Sequence, residues 1–274
     1  MKKIVKLEII LILITIFFVG ELFAQSPDRI NQWIDQLKNK DWKVRSKAAF
    51  ELNRLSPQLK TDQVKKALID ELNREYEKIK SGNYEYCDEG GEEDYYSWLF
   101  ENVSNFKDER AFDLFVRIGS PTALVKYGDK GVMVIIDKIN YDNFGNLFAA
   151  LRALENTLRP NQDYVAQGPI KEMIKQVMIK AFKENREPEK GTEWFGIKAS
   201  ERSSIRIEVM RSLEYLAEEG DKEVIPIIIS TAEEDPYYLD MSKETNYTGP
   251  QKRYVVREEA KKILVRLKTK GILK

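Results

Sequence analysis

One helical pattern recurs at three distant places in the chain, and it limits the fold more than any other feature. Val44-Arg45, Ala48, Leu52 and Leu55 in DWKVRSKAAFELNRL match Ile205-Arg206, Val209, Leu213 and Leu216, and again Val256-Arg257, Ala260, Leu264 and Leu267. Steps of four, four and three residues put the apolar members on one helical face, with Lys47, Glu51, Arg211, Glu214, Glu258 and Lys262 mostly outside. A repeated amphipathic helix cannot bury its stripe alone, so it calls for stacked neighbours.

A second element recurs ahead of these helices. GDKGVMVII at 128–136 parallels GDKEVIPII at 220–228, each a Gly-Asp break followed by a short, strongly apolar helix. Asp129 and Asp221 are placed to accept the free amide hydrogens of the first turn. Together with DWKVR…AA..L..L, this G-D-x-x-V-I-P-I-I segment resembles short HEAT repeats of the phycobilisome-lyase-like kind. The resemblance is specific over about three repeats and implies an all-α α-solenoid of about six antiparallel helix pairs with long intra-repeat loops. It also implies that Arg45, Arg206 and Arg257 tie neighbouring repeats together. The enzymatic member of that family attaches bilin chromophores in the cytoplasm, an activity that the features below argue against carrying over.

The expected register pairs helices within 28–55, 61–80 with 95–105, 108–118 with 120–127, 129–139 with 142–158, 169–185 with 201–217, and 221–232 with 253–268. Ser120-Pro121 is a suitable start for a short helix, Ser as cap and Pro at the first helical position. Gly145 and the missing arginine make the third and fourth pairs the most degenerate, and 159–168 reads as a bend. Trp33 and Trp42 are expected in the core of the first pair, where a stack needs a cap.

The first residues, MKKIVKLEIILILITIFFVGELFAQS, place Lys2, Lys3 and Lys6 before an apolar run and Ala24 before Gln25. That is the layout of a cleavable secretory signal over residues 1–24, leaving a 25–274 domain in the periplasm or secreted, with no stable membrane insertion after cleavage. Leu22 and Glu21 fit the exit less well, which keeps an uncleaved anchor as the rival reading. No cysteine follows the apolar run to accept a lipid, and the single cysteine, Cys87, has no intramolecular disulfide partner. The core alone must hold such a domain together.

Charge and chemistry narrow the function. Charged residues make up 33% of the chain, yet 45 basic and 45 acidic residues cancel, so no net field favours nucleic acid. Histidine is absent, which removes Ser-His-Asp and Cys-His systems and the usual zinc sites. There is no Gly-rich phosphate cradle, and CDEGGEED at 87–94 lacks the ligand order of an EF-hand. No cofactor or metal is expected, and the chain reads as non-catalytic.

The three long segments 81–94, 186–200 and 233–252 each fall inside an expected helix pair and should emerge on one edge. They carry aromatic residues beside acidic ones: Tyr95 and Tyr96, Trp194 and Phe195, Tyr237 and Tyr238, then Tyr247. These seven form the candidate partner-binding edge; the alternative is that each loop buries its own aromatics. The expected function is a monomeric scaffold binding a protein or peptide through its concave second-helix face or this edge, with an open groove and no buried carboxylate pair. The alternative is a carbohydrate-binding or carboxylate-pair carbohydrate-active envelope protein, with two carboxyl groups facing across a cleft near Trp194.

Overall fold

The computed structural model describes residues 26–82, 92–185, 197–240, 249 and 252–274. The proposed signal, Cys87, Trp194, Phe195 and Tyr247 lie outside the described residues. The described chain is all-α, with twelve α-helices, one 3-10 turn and a single pair of two-residue strands. Its helices group into two compact units that divide between Ile118 and Gly119.

The first unit contains α1 (Pro27–Gln36), α2 (Trp42–Arg54), α3 (Asp62–Lys80), α4 (Glu92–Ser104) and α5 (Glu109–Ile118). Its starts follow local chemistry: Ser26, Asp41 and Thr61 accept from Arg29, Lys43 and Val64 amides, covering donors that a first helical turn leaves unpaired. Helix α1 packs on α2 and α3, α2 on α4, and α3 on α4 and α5. Ala48, Leu52, Val64, Leu72, Leu99 and Val103 close this core without measurable exposure. Trp33 is buried as expected, whereas Trp42 is only half-buried, with the Lys43 ammonium 5.9 Å from its ring centre.

The second unit begins with α6 (Pro121–Leu124) and a 3-10 turn (Val125–Tyr127), followed by α7 (Asp129–Lys138), α8 (Phe144–Asn156), α9 (Gly168–Glu184), α10 (Ile197–Leu216), α11 (Val224–Glu234) and α12 (Val255–Thr269). Ser120 caps α6 through the Ala123 amide, with Pro121 in the first turn. Asp221 accepts from the Glu223 and Val224 amides, each at 2.8 Å. Asp129 departs from the expectation: it is the first residue of α7, Gly128 (φ 66°) occupies the cap position, and the carboxylate instead accepts the Tyr164 hydroxyl.

Glycine is required at 131 for a different reason. A Cβ there would sit 1.8 Å from the Leu124 carbonyl oxygen, so the end of α6 can approach α7 only where a side chain is missing. The parallel motif carries Glu223 at this position.

In this unit α6 packs on α7 and α8, α7 on α8 and α9, and α8 and α9 both on α10. Helix α10 also packs on α11 and α12, and α11 on α12. It is therefore covered on nearly every side, which explains why Glu208, Ser212 and Glu214 are buried beside Val209, Met210 and Leu213. Glu214 was expected outside; contact with α12 covers it, and Arg266 and Lys270 satisfy its carboxylate. The 233–252 segment is more ordered at its ends than its composition suggests, since Glu233 and Glu234 still belong to α11 and Leu239–Asp240 pairs antiparallel with Lys252–Arg253.

Candidate functional site

Two of the recurring arginines form buried joints of the same design. Arg45, in the first turn of α2, donates from Nη1 to the Asn39 and Lys40 carbonyls in its own α1–α2 turn. Its other nitrogens reach Glu71 Oε1 (3.0 Å) and Glu75 Oε1 (2.8 Å) on α3, the next helix. Arg206 in α10 repeats this, donating to Phe182 O at the end of α9 and to the Asp235 carboxylate just beyond α11. Its guanidinium lies 3.7 Å from the Phe182 ring centre. Arg257 makes the half-joint, donating to Asp235 O at 2.6 Å and lying over Tyr254. Desolvated charges such as Arg45 and Arg206 are tolerable only because each is fully partnered.

These joints account for two of the expected binding-edge residues. Tyr95, 3% exposed, lies in the first turns of α4 and donates to Glu71 Oε1 at 2.9 Å, completing the Arg45 joint. Tyr237, 1% exposed, donates to Asn185 O at 3.0 Å beside Arg206 and Asp235. Neither offers an outward surface, because a tyrosine beside a buried ion pair is held there by its hydroxyl as well as its ring. Tyr96 and Tyr238 remain half-buried. Tyr96 lies 6.2 Å from Phe100, and burial, followed by Tyr76, pushes its phenol up to about 12. Tyr238 lies 5.6 Å from Tyr254 with the Lys252 ammonium over its ring.

A solvent-open cavity of about 720 Å³ occurs in the second unit, where the α7–α8 turn meets α9 and α10. Tyr141, Phe144, Lys180, Glu184, Glu201 and Arg202 are among its walls. Lys180 Nζ lies 4.1 Å from the Tyr141 ring centre, and burial, then the charge of Glu184, raises the Tyr141 phenol. With Asp142, the cavity thus combines two aromatic rings with three carboxylates and two cations.

The most extensive charged arrangement spans α8, α10 and α12. Glu155, Glu208 and Glu214 are sunk below the surface, and Glu259 is mostly covered. Arginine and lysine heads stand over them: Arg159 at 2.7 Å from Glu155, Arg152 and Arg211 at 3.9 and 3.8 Å from Glu208, Arg211 at 3.5 Å from Glu259, and Arg266 and Lys270 at 2.7 and 3.0 Å from Glu214. Burial, then a hydrogen bond and charge from Glu155, push the Glu208 carboxyl up to about 7, so Glu208 keeps its proton to higher pH than an ordinary carboxyl. Glu214 moves the other way: burial raises it, but the bonds from Arg266 and Lys270 outweigh that and leave it below its ordinary value. A buried carboxylate pair therefore exists, contrary to the expectation for a binding scaffold, though neither member lines the 720 Å³ cavity.

On the same face, Phe144 and Phe148 stack at 5.4 Å and 19°, with the Arg152 guanidinium 5.8 Å from the Phe148 ring centre. The first unit has a smaller counterpart on α2 and α4, where Phe50 meets Trp98 at 5.9 Å, Arg54 lies over Phe50, and the Asn53 and Asn102 amides bond to each other.

These surfaces on α8, α10 and α12 were weakly marked in the sequence, because Glu208 and Glu214 fall beside the apolar stripe and become buried only when α12 and α8 flank α10. Among the described residues no cluster of three or more acidic or cysteine side chains is arranged to hold a metal ion, and no helix is long and apolar enough to cross a membrane. Comparison with protein-family models, curated proteins and solved structures returned no match.

Proposed function

We propose that the chain is an exported, non-catalytic HEAT-like α-solenoid that binds a protein or peptide partner through the outward face of its second-row helices. The pattern of helix contacts supports the architecture. In the first unit α1, α3 and α5 make one row and α2 and α4 another; in the second unit α7 and α9 make one row and α6, α8, α10 and α12 another, with α11 packed on α10 and α12. The Arg45 and Arg206 joints each link one helix pair to the next, which supports the same reading.

The observation that carries the binding reading is the pairing of exposed arginine with exposed or half-buried Phe and Trp on the second rows. Phe50 is 47% exposed on α2, and Arg152 is 65% exposed on α8 beside the Phe144–Phe148 stack. Aromatic and arginine side chains give large contact area and directed hydrogen bonds, so they dominate interfaces.

Site-specific photo-crosslinking in intact cells tests this. A photoreactive phenylalanine analogue at Arg152 should capture a partner, and the same group at Met133 on first-row helix α7 should not. Equal capture at both positions, or none at Arg152, sinks the reading. Export is tested separately by fractionation and by N-terminal sequencing of the mature chain, which should begin at Gln25.

A second reading, binding of carbohydrate, draws on the 720 Å³ cavity with Tyr141 and Phe144 facing Glu184 and Glu201. Rings stack on sugar faces and carboxylates accept from sugar hydroxyls. Retention on immobilised envelope glycans, abolished by Tyr141→Ala, would favour it.

A further inference from the structure

Resting on the scaffold reading, we infer that the α8–α10–α12 face is a docking site for an acidic peptide segment of a protein partner, anchored at one end by an apolar side chain. Six basic heads (Arg152, Arg159, Arg211, Lys262, Arg266 and Lys270) stand over four carboxyls there, and the cations are on the outside. Arg152 and Lys262 are 65% and 62% exposed, and they meet Glu208 and Glu259 only at 3.9 Å. Their charge is therefore directed to solvent rather than spent on tight internal bonds.

The imbalance extends along α12. Residues 260–274 contain six basic residues and no acidic one. A basic end suits the negative pole of a helix C-terminus, but that pole acts only within the last turn and leaves Lys261 and Lys262 unexplained.

Geometry sets the length of the occupant. Adjacent packed helices lie about 8–10 Å apart, so crossing from α8 to α12 covers roughly 18 Å. An extended chain rises about 3.3 Å per residue, so some six residues span the face. Arginine forks at 152, 211 and 266 can take carboxylates in bidentate fashion, which favours Asp or Glu side chains over diffuse negative charge. The Phe144–Phe148 stack beside Arg152 fixes where an apolar flanking residue would rest.

The test uses the full mature chain and a fluorescein-labelled peptide of six glutamates followed by Phe-Leu, read by fluorescence anisotropy. A lysine counterpart, a peptide with the Phe-Leu replaced by Ser-Ser, and phosphatidylglycerol vesicles serve as comparisons. The acidic peptide should bind, the lysine peptide should not, and the Ser-Ser version should bind several-fold more weakly. Arg152→Glu with Lys262→Glu should weaken binding at least tenfold, whereas Lys138→Glu with Lys183→Glu on first-row helices, an equal change in charge, should leave it within twofold. Circular dichroism confirms folding of each variant. Equal losses in both double variants, no binding of the acidic peptide, or preferential binding of the vesicles would overturn the inference. A crosslinked partner at Arg152 that meets the face with no acidic stretch would overturn it too, while leaving the scaffold reading intact.

Discussion

Replacing Glu208 by Gln should make the protein more stable at pH 8 and change little at pH 5. Glu208 is 4% exposed, and its carboxyl titrates near 7 instead of its ordinary 4.5. Because the folded-state value is raised, the protonated form is favoured by folding, and stability is lost as pH rises from about 4.5 through 7. At ~1.4 kcal/mol per pH unit, the part of that loss falling between pH 5 and 8 is roughly 2.5 kcal/mol. Screening by solvent and by the cations beside it brings the expected figure to about 1–2.5 kcal/mol.

The window is unusually clean for this chain. Histidine is absent, and the shifted carboxyls Asp108, Glu214, Glu218 and Asp221 are all lowered, so their contributions vanish only as pH falls below the ordinary carboxylate range. The charged groups that face Glu208 are Glu155, Arg152 and Arg211, with Arg159 reaching Glu155 and Glu259 reaching Arg211. Urea titrations followed by circular dichroism should show the wild-type midpoint dropping by about 0.5–1 M from pH 5 to 8, taking a slope of ~2.5 kcal/mol per M. The Gln variant keeps a donor for Glu155 and should show little drop. A wild type more stable at pH 8, or a Gln variant with the same pH dependence, would refute the raised Glu208 carboxyl.

Arg45→Ala should cost about 3–5 kcal/mol by stranding Glu71 and Glu75 in the interior, while a combined Arg45→Met, Glu71→Met, Glu75→Leu variant should regain most of it; thermal melts decide this. Tyr237→Phe should lose about 1 kcal/mol, the net worth of its bond to Asn185 O, measured by the same urea titration; no change would mean the ring alone holds the site. Gly131→Ala should destabilise by several kcal/mol through collision with the Leu124 carbonyl, whereas Gly145→Ala, on an exposed turn of α8 with room for a Cβ, should be neutral or slightly stabilising.

The helices themselves were readable because their signals are local. Ser120-Pro121, the Gly-Asp starts and the four-four-three apolar spacing each act within one or two turns, so the expected spans agree with the observed helices to within a few residues. The arginine joints were anticipated only in role. Nothing near Arg45 in sequence points to Glu71 and Glu75, which become its partners when α3 packs on α1.

The binding edge was the least legible part for the same reason. Paired tyrosines beside acids suggest a surface, but the Tyr95 and Tyr237 hydroxyls find their acceptors, Glu71 and the Asn185 carbonyl, inside the fold. Glu208 reads as an ordinary solvated residue until α8 supplies Glu155. Sequence shows which side chains share a helix face; it does not show which faces meet.

The two complete joints also bear on how the protein would respond to load. Arg45 clasps the turn before α2 and the helix after it, and Arg206 joins the end of α9 to Asp235 just beyond α11. In the proposed stack, tension along the chain is resisted locally, one clasp at a time, so a rupture at one rung need not release the next. Stretched in an optical trap, the protein should yield in discrete steps, and it should recoil by re-forming clasps next to those that survived.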